Sequence, residues 1–228
     1  MLLKKWDQIP ESLRNEEVMG YYDILCKKQF SLFIKRVFDI FLSFVFLLVL
    51  SPFLLGIAVA IKLDSKGPVF FRQTRVTQYG RAFRIFKFRT MVSDAEKLGP
   101  QVTVKNDSRV TRTGRFLRKC RLDETPQLLN ILFGDMSFVG TRPEVSKYVE
   151  AYTDEMKATL LMPAGVTSLA SIRFKDEEKL LEGKDDTDRV YLEDVLPQKM
   201  KFNLEYIKSF GFFYDMKLML QTFFAVLK

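Results

Sequence analysis

Residues 40–61 form an uninterrupted apolar run that reads Ile40-Phe41-Leu42-Ser43-Phe44-Val45-Phe46-Leu47-Leu48-Val49-Leu50-Ser51-Pro52-Phe53-Leu54-Leu55-Gly56-Ile57-Ala58-Val59-Ala60-Ile61. The only charged residue between Arg36 and Lys62 is Asp39. At ~1.5 Å of rise per residue, a helix over this run is about 33 Å long, which is enough to cross the hydrocarbon core of a bilayer. The run therefore predicts a membrane helix, and a spanning helix is its simplest form.

Ser51 and Pro52 stand at the centre of the run and argue against a simple span. Proline removes a backbone donor and clashes with the preceding turn, so a bend is expected there. Basic residues flank the run on both sides, so positive charge does not mark one end as the cytosolic one. We predict a re-entrant membrane helix over residues 35–62, bent at Ser51-Pro52, with both ends in the cytosol. A spanning helix remains the alternative.

The other residues predict two further parts, a helical N-terminal extension over residues 1–34 and a cytosolic domain over residues 63–228. No chemistry can be assigned to the extension. In the domain, residues 69–76 and 82–89 flank Gln78-Tyr79-Gly80-Arg81 and predict a β-hairpin. Residues 196–228 are rich in phenylalanine and predict an interfacial amphipathic helix, although a core helix is the commoner explanation. The predicted fold class is α+β and mainly helical.

The net charge of +8 is unevenly distributed along the 228 residues. Residues 62–121 carry 16 Lys and Arg against 4 acids, a net charge of +12. This basic block predicts an anionic partner, such as the phosphates of a nucleotide, a nucleic acid or a lipid headgroup, with a solvated basic face as the alternative. Within the block, four arginines recur every third residue and predict a basic stripe on a helix: Arg112, Arg115, Arg118 and Arg121. Two cysteines and no histidine argue against a disulfide framework, a zinc site or a His-based triad.

Asp123 and Glu124 lie side by side directly after the basic block. Neighbouring ionised carboxylates repel each other, so the pair needs a countercharge, such as an arginine cluster or a divalent cation on a diphosphate. Pro126 and Gly134 mark the start and the stop of a following helix, so Asp123 could be only its N-cap. Further along, Arg142 lies between turn-forming residues, and its guanidinium could bind a phosphate bidentately.

Seven motifs follow one another in the chain. They are Lys35-Arg36-Val37-Phe38-Asp39, Ser51-Pro52, Gly67-Pro68-Val69-Phe70-Phe71-Arg72-Gln73, Lys87-Phe88-Arg89-Thr90-Met91, Leu122-Asp123-Glu124-Thr125-Pro126-Gln127, Gly134-Asp135-Met136-Ser137-Phe138-Val139-Gly140 and Arg142-Pro143-Glu144. In this order they resemble the bacterial sugar transferase family, and within it the small monotopic phosphoglycosyl transferases, which are undecaprenyl-phosphate sugar phosphotransferases. The resemblance extends from about Lys35 to the C-terminus.

This resemblance implies transfer of a sugar 1-phosphate from a UDP-sugar to undecaprenyl phosphate, with release of UMP, at the cytosolic face of the bacterial cell membrane. It makes Asp123 the catalytic nucleophile, which forms a covalent aspartyl-phosphosugar, and it has Glu124 and Asp123 hold Mg²⁺. The residues that it assigns to substrate binding are Arg72, Gln73, Lys87, Arg89, Arg118, Gln127, Arg142, Pro143 and Glu144. It also implies an inner-membrane phospholipid partner and the first membrane step of exopolysaccharide, capsule or glycoconjugate synthesis.

Two other classes of function remain open. A membrane-anchored non-catalytic binder of anionic lipid or nucleic acid would explain the basic block and its phenylalanines. A scaffold in a polysaccharide-export assembly would explain the membrane helix. Neither explains Asp123 and Glu124, because paired acids in a basic site repel phosphate unless a metal is present. We therefore expect no nucleic-acid partner. The sugar, the pathway and the oligomeric state, a homo-oligomer included, stay open.

Overall fold

In the computed structural model, which describes residues 3–93, 95, 107–174 and 187–227, the predicted α+β, mainly helical class is confirmed. Two 3-10 turns (Trp6–Gln8 and Glu11–Leu13) and helix α1 (Glu16–Cys26) precede helix α2 (Gln29–Asp64). Asn15 caps α1, since its side chain accepts a hydrogen bond from the N–H of Val18. Helix α1 buries Val18, Tyr21 and Leu25 in the main hydrophobic core, so the N-terminal extension is packed into the domain.

Helix α2 carries the whole apolar run in 36 residues, which corresponds to about 54 Å at ~1.5 Å per residue. Among the described residues it is the one helix long and apolar enough to cross a membrane, and only 11% of its most apolar stretch of 18 residues is buried. The helix continues through Pro52. The Ser51 hydroxyl donates to the carbonyl oxygen of Leu48 at 2.8 Å, the acceptor that an N–H at position 52 would otherwise serve. The re-entrant bend stays a prediction.

Strands β1 (Phe70–Val76) and β2 (Ala82–Phe88) form an antiparallel hairpin in which Phe70 lies opposite Phe88. The predicted hairpin is therefore confirmed. A second, parallel pair joins β3 (Met136–Val139) to β4 (Ala164–Thr167), which the sequence analysis did not predict. Together the two pairs supply the frame from which the loops of the site project.

Helix α3 (Arg112–Lys119) is followed by a 3-10 turn (Leu122–Glu124) and helix α4 (Gln127–Phe133). The predicted basic stripe is wrong at its last member, because Arg121 adopts a left-handed conformation (φ 56°) beyond the end of α3. Helix α4 ends at Gly134, also left-handed (φ 89°), as predicted. It begins at Gln127, however, so Asp123 lies in the preceding turn and is not its N-cap.

The C-terminal part is helical and follows two short helices, α5 (Ser146–Val149) and α6 (Leu169–Arg173). Helix α7 (Thr187–Val190) leads through a π-helical turn (Tyr191–Val195) into α8 (Leu196–Ser209), and α9 (Phe212–Leu227) comes last. Helix α8 is a core helix, whereas α9 buries Leu218 but leaves Phe213, Phe223 and Phe224 exposed. The prediction of one helix over residues 196–228 is wrong, because α8 and α9 are separate helices divided at Phe210-Gly211. An interfacial position for α9 stays a prediction.

Both ends of α2 contact the domain. Near its start, Arg36 donates to the carbonyl oxygens of Ile131 and Leu132 at the end of α4. Near its end, Ile57 and Ile61 pack against Phe88 and Leu117. Helix α2 therefore lies along the domain over much of its length and exposes its opposite, phenylalanine-rich face.

Candidate active site

Three separate segments of the chain meet at Glu124. Lys87 comes from the end of β2, Arg142 from the loop after β3, and Glu124 from the 3-10 turn before α4. The Oε1 atom of Glu124 accepts hydrogen bonds from Lys87 Nζ at 2.8 Å and from Arg142 Nη2 at 2.6 Å. Arg142 Nη1 lies 3.4 Å from the other carboxylate oxygen, Oε2. One carboxylate is thus held between two cations.

The electrostatics of this cluster keep Glu124 ionised. Burial by itself would raise the pKa of Glu124, but the nearby charges of Arg142 and Lys87 outweigh it and hold that pKa well below its usual value. Burial lowers the pKa of Lys87, and the charge of Glu124 offsets part of this change. The two cations are therefore placed to receive an anionic group that competes with Glu124.

Asp123 precedes Glu124 in the same turn and is half-buried. Burial raises its pKa, the charge of Glu124 raises it further, and the charges of Lys87 and Arg118 oppose the shift. The left-handed conformation of Arg121 turns the chain from α3 into this segment. A carboxylate held beside cations in this way can serve as a nucleophile or a metal ligand.

Arg118 and Arg89, both predicted to bind phosphate, differ in what they contact. Arg118 donates from Nε to the hydroxyl of Thr90 at 2.9 Å. Helix α3 can approach Thr90 this closely because Gly114 has no side chain: a Cβ there would lie 2.0 Å from the Thr90 carbonyl oxygen. Arg89 donates to the carbonyl oxygens of Ser65 (2.7 Å) and Lys66 (3.1 Å), just past the end of α2. The structure therefore brings the charge of Arg118 close enough to lower the pKa of Asp123, but it directs Arg89 to the end of α2.

Among the described residues, no hydrogen bond joins Arg72, Gln73 or Gln127 to the acid pair. The Arg72 guanidinium lies 3.5 Å from the centre of the Phe86 ring. The Gln73 side-chain oxygen accepts a hydrogen bond from Arg75. Gln127 is buried at the start of α4, and its side-chain nitrogen has no hydrogen-bond partner among the described residues.

Pro143 and Glu144 belong to the Arg142 loop, but their contacts face the interior. The carbonyl oxygen of Pro143 accepts a hydrogen bond from Arg75 at 3.2 Å. The buried Glu144 carboxylate accepts one from the hydroxyl of Tyr191. Sequence reasoning missed Arg75 and Tyr191, since no motif marked Tyr191 and Arg75 was one basic residue among many. A narrow cleft of about 10 Å³, room for about one water molecule, lies beside this loop.

The residues present fit a magnesium ion only in part. The described residues contain no group of three or more acids, cysteines or histidines that could hold a metal. Mg²⁺, however, prefers oxygen ligands and commonly binds to one or two carboxylates together with substrate phosphates and water. Asp123 and Glu124 supply such carboxylates, and Glu124 Oε2 makes a long hydrogen bond of 3.4 Å with Arg142 Nη1. The donor set fits a metal whose remaining ligands come from a diphosphate.

Comparisons with known proteins point to one family. The sequence model of the bacterial sugar transferase family matches residues 30–228. The chain is 38% identical over 183 residues to UDP-glucose:undecaprenyl-phosphate glucose-1-phosphate transferase of Escherichia coli (strain K12), an alignment that covers 78% of this chain and 37% of that protein. It is 33% identical over 219 residues to undecaprenyl-phosphate galactose phosphotransferase of Salmonella typhimurium (strain LT2), covering 88% of this chain and 42% of that protein.

A third relative is matched over most of its own length. The exopolysaccharide production protein PSS of Rhizobium leguminosarum bv. phaseoli is 41% identical over 158 residues, covering 66% of this chain and 75% of that protein. By contrast, the chain spans less than half of the length of the Escherichia coli and Salmonella relatives. The region in common includes the acid pair and the loops around it.

Proposed function

Because the chain belongs to the bacterial sugar transferase family, we propose that it transfers a sugar 1-phosphate from a UDP-sugar to undecaprenyl phosphate and releases UMP. The product is a lipid-linked diphosphosugar, and the reaction is the first membrane step of exopolysaccharide, capsule or glycoconjugate synthesis. The observation that carries the proposal is Asp123 beside a Glu124 that is held between Lys87 and Arg142. The names of the relatives support the donor and the acceptor, since they act on UDP-glucose or on undecaprenyl phosphate.

The chemistry divides into two displacements at one phosphorus atom. A carboxylate oxygen of Asp123 attacks the β-phosphorus of the UDP-sugar, and the bond to the bridging oxygen breaks as UMP leaves with that electron pair. A phosphate oxygen of undecaprenyl phosphate then attacks the same phosphorus and displaces Asp123 as a free carboxylate. Lys87 and Arg142 bind phosphate oxygens and stabilise the charge as it moves to the leaving group.

Magnesium is part of this proposal. Asp123 and Glu124 would hold the ion together with diphosphate oxygens, and its positive charge would neutralise the diphosphate. Arg118, whose charge already lowers the pKa of Asp123, keeps more of the nucleophile ionised. The raised pKa of Asp123 makes that contribution important, because only the carboxylate form attacks.

The contacts of α2 support a monotopic position at the cytosolic face of the membrane. The start of α2 contacts α4, while its end contacts β2 and α3. A straight spanning helix would separate its two ends by the thickness of a bilayer, so it could not keep both on a domain that lies on one side. The exposed apolar face of α2 and the exposed phenylalanines of α9 support insertion into one leaflet, with phospholipid as the partner.

The test is UMP release by the purified protein, given a panel of UDP-sugars with and without undecaprenyl phosphate and Mg²⁺. We expect release to need both additions. Asp123→Asn is expected to abolish it, while the matched control Asp7→Asn, at an exposed position of the N-terminal turn, retains it. Turnover retained in Asp123→Asn would refute the nucleophile assignment. No release with any donor, from folded protein, would favour the non-catalytic binder, an alternative that the relatives' names do not support.

A further inference from the structure

Behind the loop that carries Arg142 lies a polar cluster formed by Glu144, Tyr191 and Lys199. The exposed fractions of these residues are only 7%, 6% and 5%. The Tyr191 hydroxyl donates to Glu144 Oε1 at 2.5 Å, and Lys199 Nζ donates to the Tyr191 hydroxyl at 2.9 Å. Lys199 Nζ also lies 3.5 Å from the same glutamate oxygen. The cluster therefore joins the Arg142 loop to helix α8.

Stability alone gives little reason for such a cluster. A buried ion pair can often be replaced by apolar residues of similar volume without loss of stability. Tyr191 also begins the π-helical turn Tyr191–Val195, and π-helical turns are rare and occur frequently at functional sites. Both features indicate that the cluster has a task beyond holding α8 in the core.

The cluster adds a side-chain contact to two main-chain contacts of the same loop. The N–H of Val76 in β1 donates to the carbonyl oxygen of Glu144 at 2.9 Å. Arg75 donates to the carbonyl oxygen of Pro143, and proline restricts the backbone of the residue before it, Arg142. With Pro143 and Glu144 fixed, Arg142 is set at the place from which it reaches Glu124.

We propose that Glu144, Tyr191 and Lys199 are positioning residues that act on the donor through Arg142. This inference rests on the proposed function. It gives Glu144 an indirect role in place of the substrate contact predicted from the sequence. The ring of Tyr148, which lies 4.6 Å from the ring of Tyr191, braces the cluster from the side of α5.

The test measures binding of UDP, which carries the diphosphate whatever the sugar, by titration calorimetry at fixed Mg²⁺. Arg142→Ala is expected to weaken UDP binding roughly tenfold, and Tyr191→Phe by several-fold. In the Arg142→Ala background, Tyr191→Phe should change the dissociation constant less than about twofold, because the residue through which it acts is gone.

The matched control is Tyr206→Phe, which removes another buried hydroxyl, the one that donates to Asp215. It should lower the melting temperature much as Tyr191→Phe does, yet leave UDP binding unchanged. Equal weakening by Tyr191→Phe with and without Arg142, or no weakening in either background, overturns the inference alone. A parent chain that binds no UDP overturns the proposed function as well. If Tyr191→Phe fails to fold, Glu144→Gln replaces it with the same expectations.

Discussion

Substitution of Lys35 by methionine tests how α2 is attached to the domain. Lys35 is 2% exposed and donates to Asp215 in α9 at 2.6 Å and to the carbonyl oxygen of Val139 at 2.8 Å. Asp39, one turn further along α2, is also buried. Lys35→Met would leave the buried Asp215 carboxylate without its cation. Breaking a buried pair in this way destabilises a protein by roughly 3–5 kcal/mol.

The expected shift in melting temperature follows from that energy. A domain of this size loses about 2–4 °C for each kcal/mol, so Lys35→Met should melt roughly 6–20 °C below the parent chain. Burial raises the pKa of Asp215, while Lys35 opposes that shift. Without Lys35, Asp215 is protonated more readily in the folded state. An acid whose pKa is raised by folding stabilises the folded protein at low pH, and this stabilisation is lost as the pH rises through that pKa. The deficit should therefore shrink as the pH falls.

The assay is thermal unfolding of detergent-solubilised protein, followed by circular dichroism, for Lys35→Met, Asp215→Asn and the double variant. The double variant is expected to be more stable than Lys35→Met, because no charge is left unpaired at position 215. Lys201→Met, at an exposed position of α8, should melt within about 2 °C of the parent. A shift below about 2 °C for Lys35→Met, or a double variant whose loss equals the sum of the two single losses, would refute the reasoning.

Three further predictions follow from other contacts. Arg89→Met should lower the melting temperature, since carbonyl oxygens at the end of α2 lose their donor. The KM for the UDP-sugar should stay within about twofold of the parent value. A raised KM at unchanged melting temperature would support a phosphate contact of Arg89 instead. Lys87→Met should move the acid limb of kcat/KM to higher pH, because a charge that lowers the pKa of Asp123 is lost, and Lys87→Arg should leave it in place. Leu25→Ala, at a fully buried site of α1, should cost about 2–5 kcal/mol and lower the single melting transition of the whole domain; a separate early transition would argue that the extension folds independently.

The parts of the fold that the sequence predicted correctly are those with local causes. The hairpin follows from two strand-like stretches around a tight turn, and the end of α4 follows from a glycine that adopts a left-handed conformation. The pairing of β3 with β4 joins segments far apart in the chain, so no local sequence pattern could predict it. Pro52 alone predicts an interruption of the helix, but the Ser51 hydroxyl donates to the Leu48 carbonyl oxygen that proline leaves without a donor. The sequence pattern did not indicate this compensating hydrogen bond.

The candidate site divides in the same way. The acid pair stood out because neighbouring carboxylates need a countercharge, and the structure supplies it through Lys87 and Arg142. The direction in which Arg89 or Glu144 points depends on packing between distant segments, which motif spacing does not encode. A motif can therefore nominate a residue for the site without deciding whether its side chain faces a ligand or the interior.

The basic block shows why net charge is a coarse guide to an anionic partner. Part of the block makes contacts inside the protein, since Arg75 and Arg89 donate to main-chain carbonyl oxygens and hold loops in place. Another part, at Lys87, is paired with Glu124 and becomes available to a phosphate only in competition with that carboxylate. Exposed cations remain on α3, at Arg112, Arg115 and Lys119. Hydrogen bonds to neutral carbonyl oxygens cancel no charge, so the block keeps its net charge of +12. What the internal contacts reduce is the number of cationic side chains that can contact an anion directly.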